Sequence, residues 1–285
     1  MISRHTPVLL KEVMAVLNPQ PGQFFIDGTY GAGGHSQEIL KKIGSGGKLL
    51  AVDWSQEAAR RCKTDFCVVD NFANLPEVLR KLNLPPADGL LLDLGFSSEQ
   101  LQTFGRGFSF QKDEPLLMTY NDQQQPVRDL LKQVSEKELA EILWRYGEER
   151  KSRIIARAIK TALRKKPIRS SGDLVKVIEQ VVKRSGKLHP ATKTFLALRS
   201  YANQELENLK RLLAHLPEII TRGGRAAIIS FHSLEDRQVK NHFRNLAAAG
   251  RAEIITKKPL VPSREEILQN PRSRSAKLRA IKFKK

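Results

Sequence analysis

The segment Ile26–Ser36, IDGTYGAGGHS, constrains the fold more than any other part of this 285-residue chain. An apolar run, FFID, ends in an acid and meets a turn holding Gly28, Gly31, Gly33 and Gly34. Glycine loses more conformational freedom on folding than other residues, so a cluster of it marks a backbone that turns tightly or comes close to something. A strand, such a turn and then a helical pattern, HSQEILKKI, open a nucleotide-binding α/β sheet.

The rest of the chain repeats the alternation. Short apolar runs recur at 24–28, 48–53, 66–70, 89–95 and 225–231, with helical patterns between the first four. Runs that are apolar on both faces suit buried parallel strands. Their alternation with helices predicts a doubly wound α/β sheet. Two further strands at 252–257 and 278–283 fit an antiparallel pair at the sheet edge. The stretch between the fourth and fifth runs is too long for one crossover and reads mostly helical. SEKELAEILWRYGEER opens with a capping box from Ser135 to Glu138, Ser170 is placed to cap toward Asp173, and TKTFLALRSYANQELENLKRLL forms one long amphipathic run. The expected organisation is a sheet domain at 1–103 and 204–285, interrupted by a helical insertion at 104–203.

Charge points to the partner. Lys and Arg number 49 against 30 Asp and Glu, a net charge of +19. An excess of this size predicts a polyanion, nucleic acid in the usual case. Between Arg145 and Arg169 there are ten Lys or Arg and two Glu. Arg153, Arg157, Lys160 and Arg164 recur there at helical spacing, while Ile155, Ala158, Ile159 and Ala162 occupy another face. Such a helix packs by one side and meets phosphates with the other. The stretch from Arg251 to Lys285 carries eleven Lys or Arg against three Glu.

The two cysteines, Cys62 and Cys67, make neither a disulfide framework nor a CxxC pair, which suggests a reducing, cytoplasmic setting. The six histidines lack metal-ligand spacing, so no metal is expected. The N-terminal stretch MISRHTPVLLKEVM has no signal-peptide core, and no segment approaches the ~20 apolar residues of a spanning helix, so no membrane role is expected.

Asp27, Asp53, Asp70 and Asp93 fall at the ends of the first four strands, the ligand-binding edge of this fold. Asp53 is placed to accept from both hydroxyls of a ribose, and Phe72 to lie against an adenine. The dinucleotide pattern GxGxxG is incomplete, because Ser36 stands at its third glycine. A ligand with ribose, adenine and positive charge but no phosphate fits better, namely S-adenosylmethionine. A nicotinamide dehydrogenase, a non-catalytic RNA-binding or ribosome-assembly protein and a DNA methyltransferase stand as alternatives.

Eight stretches, HTPVLLKEV, IDGTYGAGGHS, DLGFSSEQL, RGFSF, YGEER, HPATKTFLALR, ISFHSLEDR and NPRSRSAKLR, resemble in order the motifs of the RsmH/MraW family. They run from His5 to Arg279, nearly the whole chain. The resemblance implies a class I S-adenosylmethionine-dependent methyltransferase, a Rossmann-like sheet with an inserted helical domain that helps recognise RNA. It implies methylation of a cytidine N4 amine in the decoding region of 16S ribosomal RNA, with the small-subunit RNA, in an assembled 30S subunit, as partner. Carried over by position, the cofactor residues are Gly33, Gly34, His35, Asp53, Phe72, Asp93 and Gln100. Asp93, Ser97 and Ser98 would serve the amine, with Phe96 or Phe108 stacking on the base. His232 would be either a proton acceptor or a loop cap. The chain departs from the family at Gln102, Leu117, Thr119 and Asn121, where the family has acids or an arginine, in a segment expected near the substrate.

Overall fold

The computed structural model of the protein describes residues 7–95, 105–122, 124–184, 186 and 188–284. The chain divides into two compact units, residues 1–97 with 207–285 and residues 98–206.

The first unit is a seven-stranded sheet: β1 Phe24–Asp27, β2 Lys48–Asp53, β3 Phe66–Val69, β4 Ala87–Asp93, β5 Ile220–Ser230, β6 Ala252–Ile254 and β7 Lys277–Phe283. Its order is β3-β2-β1-β4-β5-β7-β6, and β1 to β5 are parallel. β7 runs antiparallel to both β5 and β6, the antiparallel pair that the sequence suggested at the edge. This is a doubly wound, Rossmann-like sheet, as the alternation of strands and helices predicted.

Alternate residues of each strand feed opposite layers. Ile26, Leu50, Leu90, Leu92 and Ile228 pack on one face with Leu75, Val78, Leu209, Leu213 and Phe243. Phe25, Leu49, Leu91, Ile229 and Leu278 pack on the other with Val13, Leu17, Ile39 and Ile43. The covering helices are α1 Leu10–Leu17, α2 Gly34–Ile43, α3 Gln56–Arg61 and α4 Leu75–Lys81. A strand apolar on both faces gains from burial only between two helical layers, which is why these runs read as continuous rather than alternating.

The second unit holds α5 Val127–Gln133, α6 Glu136–Gly147, α7 Ser152–Lys165, α8 Ser171–Val181 and α9 Thr192–Ala202. Leu139, Leu143, Ile155, Ile159, Leu174, Ile178, Phe195 and Leu198 form its core. The capping boxes at Ser135 and Ser170 are both formed. The long amphipathic run read from Thr192 onward is broken. α9 ends at Ala202, Gln204 takes a left-handed φ of 52°, and α10 Glu205–Ile219 begins afresh. Asn203, 1% exposed, makes the break. Its Nδ2 donates to the Met118 and Arg199 carbonyls at 2.8 Å each, and its Oδ1 accepts the Tyr120 N–H at 3.0 Å. α11 Ser233–Ala248 and α12 Arg264–Gln269 complete the helices among the described residues. None is long and apolar enough to cross a membrane.

The cysteines differ from expectation. Cys62 and Cys67 are joined by a disulfide. The chain reverses between α3 and β3, which brings their Cα atoms to 6.1 Å, within the span a disulfide bridges.

Candidate active site

The site is built on the carboxyl edge of β1, β2 and β4. β1 ends at Asp27, and the chain passes through Gly28–Gly33 into α2. Gly33 is the N-cap of α2 with φ 76°. A Cβ there would stand 2.5 Å from the Tyr30 hydroxyl, and a Cβ on Gly34 would overlap Pro7 Cγ. Only glycine satisfies both the left-handed backbone and the close walls. Tyr30 and Pro7 thus wall the start of α2, whose N-terminal amides are the groups that meet a ligand's negative charge in such a turn.

Asp53 steadies this turn. Its Oδ2 accepts the Gly31 N–H at 2.7 Å and its Oδ1 the Ser55 N–H at 2.8 Å. A carboxylate oxygen accepts more than one hydrogen bond, which is the chemistry that ribose hydroxyls call for. Asp70 is committed to its own loop, since Oδ1 accepts from Asn71 N at 2.6 Å and Asn74 Nδ2 at 2.7 Å. Asn71 in turn caps the short helix that opens with Phe72, whose half-buried ring packs on the sheet's core.

Asp93 closes β4. Its Oδ1 is buried and has no hydrogen-bond partner, although the side chain keeps 19% of its surface. Burial first, then the negative charges of Asp27 and Glu235, push its pKa up to about 8. Burial likewise raises Asp27 to about 6, against the opposing hydrogen bonds from Ser36 and Thr29. His35, 7% exposed, lies between two chain segments. Its Nε2 is 2.9 Å from the Val8 carbonyl and its Nδ1 3.9 Å from Asp93 Oδ2. With Nε2–H donating to Val8, the Nδ1 lone pair faces Asp93 unless the ring is protonated.

His232 is the N-cap of α11. Its Nδ1 accepts the Glu235 N–H at 3.5 Å, and Glu235 Oε2 accepts the Phe231 N–H at 2.9 Å. The cap, one of its two expected roles, is formed. Asp236, in the same first turn, holds β7 through Arg279, whose Nε donates to Oδ1 at 2.6 Å and whose Nη2 donates to Oδ2 at 3.3 Å. Burial raises the Asp236 carboxyl, but Arg279, Lys277 and Lys240 outweigh it and hold the net value below the usual range.

A buried carboxyl oxygen without a donor, beside a glycine turn and two strands from a second acid, suits a cationic ligand that carries a ribose. A model of the MraW methylase family matches residues 2–284. The chain belongs to the MraW methylase family. Its relatives include proteins named ribosomal RNA small subunit methyltransferase H. The one from Koribacter versatilis is 44% identical, covering 97% of this chain and 93% of the relative. That from Ehrlichia chaffeensis is 40% identical, covering 97% and 99%. A solved rRNA methylase from Streptococcus thermophilus aligns over 100% of this chain and 99% of its own, at 10% identity and a TM-score of 0.43.

Among the residues expected in the methylase site, Ser97, Ser98 and Gln100 lie outside the described residues, as do Phe96 and Gln102. Gly33, Gly34, His35, Asp53 and Asp93 are brought together at one edge of the sheet, with Phe72 following β3. Sequence reasoning missed Thr29 and Glu235. The only signal for Glu235 was its position three residues after His232, the spacing of a capping box.

The basic helix of the second unit is α7. Arg153, Arg157 and Arg164 are exposed on it. Lys160 departs from the expected phosphate-facing row. Its Nζ donates to the Leu131 carbonyl at 2.6 Å and the Lys132 carbonyl at 3.3 Å, closing the end of α5, and burial lowers its pKa. Arg157 lies 3.4 Å from Glu136. α7 and α8 flank a groove of about 570 Å³ whose floor includes Ile154, Ala158 and Val177, with Arg157, Lys165 and Lys176 around it. In the departing segment, Thr119 is buried and its carbonyl accepts from Arg106 Nη1 at 3.1 Å. Tyr120 donates its hydroxyl to Glu205 Oε1 at 2.9 Å, and Arg199 pairs with the same carboxylate. Asn121 holds Gln124. These neutral side chains serve the packing of the segment.

Proposed function

We propose that this methylase transfers a methyl group from S-adenosylmethionine to the N4 exocyclic amine of a cytidine in the decoding region of 16S ribosomal RNA, within an assembled small subunit in the cytoplasm. The observation that carries the reading is the buried, unpartnered Asp93 Oδ1 beside the Gly33–Gly34 turn. A sulfonium amino acid supplies the positive charge such an atom lacks, and has no phosphate to demand the complete glycine fingerprint. The names of the relatives support the RNA substrate. The cytidine, the amine and the assembled subunit are expectations from the family resemblance.

The residues present fit that cofactor. Asp53 would accept from the ribose hydroxyls, Phe72 would lie against the adenine, and the turn at Gly33 and Gly34, with His35 and Asp93, would hold the amino-acid end. When bound, the cofactor supplies a methyl group on sulfur ready for in-line displacement. The protein's task is alignment and charge. The cytosine amine is a weak nucleophile because its lone pair is drawn into the ring. Acceptors at Asp93, with Ser97 and Ser98, would localise that pair and stabilise the charge that develops on nitrogen. His232 supports this edge as a helix cap. Arg153 and Arg164, exposed on α7, would meet RNA phosphates and position the substrate without reading its sequence.

The test is methyl transfer from labelled S-adenosylmethionine to small subunits lacking the modification, with the product mapped by mass spectrometry. N4-methylcytidine at one decoding-region position is the expected result. Methylation of another atom or of another region refutes the proposal.

A further inference from the structure

β1 leaves the sheet early. Its ladder with β4 stops at the pair Asp27 and Leu91, and Gly28 N–H makes the last backbone bond, to the Leu91 carbonyl. Beyond that point the next β4 amide on this side, that of Asp93, has no strand to meet. A side chain takes the strand's place: Thr29 Oγ1 accepts the Asp93 N–H at 2.6 Å. A hydroxyl engaged in this way still has one proton to give, and Asp27, which the Thr29 N–H already meets, is the neighbouring acceptor. Asp27, 1% exposed, also accepts Thr29 N–H at 3.1 Å and Ser36 O–H at 2.7 Å. An ionised carboxylate only accepts, so the direction of each bond in the chain is set.

We propose that Thr29 is a positioning residue for the cofactor, its hydroxyl oriented by Asp27 and fixing the peptide of Asp93, and so the aim of that carboxyl. The proposal rests on the reading that Asp93 meets S-adenosylmethionine. The hydroxyl stands between two acids, and three elements face Asp93 with titratable groups: β1 with Asp27, α2 with His35 and α11 with Glu235. Asp27 therefore acts on Asp93 twice, through the hydroxyl and through its own charge. A purely structural threonine would support the turn by its methyl group and backbone alone.

The experiment uses the full chain and three variants, Thr29→Val, Thr29→Ser and Asp27→Asn. S-adenosylmethionine binding is measured by calorimetry from about pH 6 to about pH 9, with thermal melts of each ligand-free protein. Thr29→Val, which keeps the shape and removes the acceptor, is expected to weaken binding about tenfold or more, the scale of a buried donor losing its partner. Thr29→Ser is expected to stay within about twofold of the parent, since it keeps the hydroxyl. Asp27→Asn is expected to move the pH midpoint of binding downward, because Asp93 loses a neighbouring negative charge. Parent-like binding by Thr29→Val, or equal damage from Thr29→Ser, overturns the proposal. If Thr29→Val does not fold, Thr29→Ala takes its place, and parent-like binding by that variant overturns the proposal. A parent protein that does not bind S-adenosylmethionine at any pH refutes the underlying reading instead, which separates the two failures.

Discussion

Replacing Asp93 with asparagine is expected to stabilise the ligand-free protein while abolishing cofactor binding. Asparagine keeps the shape and discards the charge. In the unfolded chain the carboxyl ionises near 3.8, whereas in the fold burial, with Asp27 and Glu235, holds its proton to about 8. Between those values the folded state binds more protons than the unfolded state. Stability therefore falls as pH rises from about 4 to about 8, the sign for an acid whose folded pKa is raised. At pH 7.5 the full effect is about 5 kcal/mol, taken at about 1.4 kcal/mol per pH unit. The side chain keeps 19% of its surface, and solvent and relaxation reduce such terms, so about 2–3 kcal/mol is the expected net loss. At about 2 °C per kcal/mol for a chain of this size, ligand-free Asp93→Asn melts about 4–6 °C above the parent at pH 7.5. The difference should vanish near pH 4. Thermal melts across pH, with and without S-adenosylmethionine, make the measurement. The parent should gain stability from the cofactor and the variant should not. A melting difference that does not grow with pH refutes the burial argument, and a variant that still responds to cofactor refutes the role given to Asp93.

Other outcomes follow from the same geometry. Cofactor affinity should rise between about pH 6 and about pH 8 and then level, because a cation pairs with ionised Asp93 and displaces its proton; calorimetry in buffers of different ionisation enthalpy reads the released proton directly. Gly33→Ala and Gly34→Ala should each weaken S-adenosylmethionine binding by about tenfold or more, since an added Cβ meets Tyr30 or Pro7; unchanged dissociation constants would refute the cradle. Arg153→Glu combined with Arg164→Glu should weaken RNA binding and flatten its salt dependence by about two contacts, whereas Lys160→Ala should lower the melting temperature and leave the salt slope nearly intact. Filter binding at several salt concentrations separates the two.

The sheet was legible because its central strands are apolar on both faces and the first four apolar runs end in an acid. Short runs of that kind are stable only between two covering layers, and the fold places Asp27, Asp53 and Asp93 at the edge they implied. Capping boxes were legible because Ser135 and Ser170 act within one turn of sequence. What depends on a distant neighbour was not. Lys160 shares the helical spacing of Arg157 and Arg164, but the carbonyls that claim it belong to α5, and spacing along α7 cannot reveal them. Asn203 sits inside an unbroken amphipathic pattern, and the helix stops there because Met118 and Tyr120 need its amide. Asp70 looked equivalent to the other strand-end acids, yet Asn71 and Asn74 occupy it. Periodicity reports what a segment wants, while pairing across the chain decides what it gets.

The strand order also governs how the protein comes to be made. β5 lies in the interior of the sheet, between β4 and β7, and it is synthesised only after the whole helical unit. A nascent chain that has emerged as far as Asp93 therefore holds four parallel strands with β4 as an open edge, its amides and carbonyls unpaired and its flanking faces apolar. Such an edge invites pairing with other chains, and closing it must wait for contacts of long sequence separation, which form slowly. The helical unit, with its own core and local contacts, is able to fold during that wait. Arrest or truncation of synthesis before Ser230 should thus yield a species prone to aggregate, while loss of β6 alone, at the sheet's far margin, should be far better tolerated.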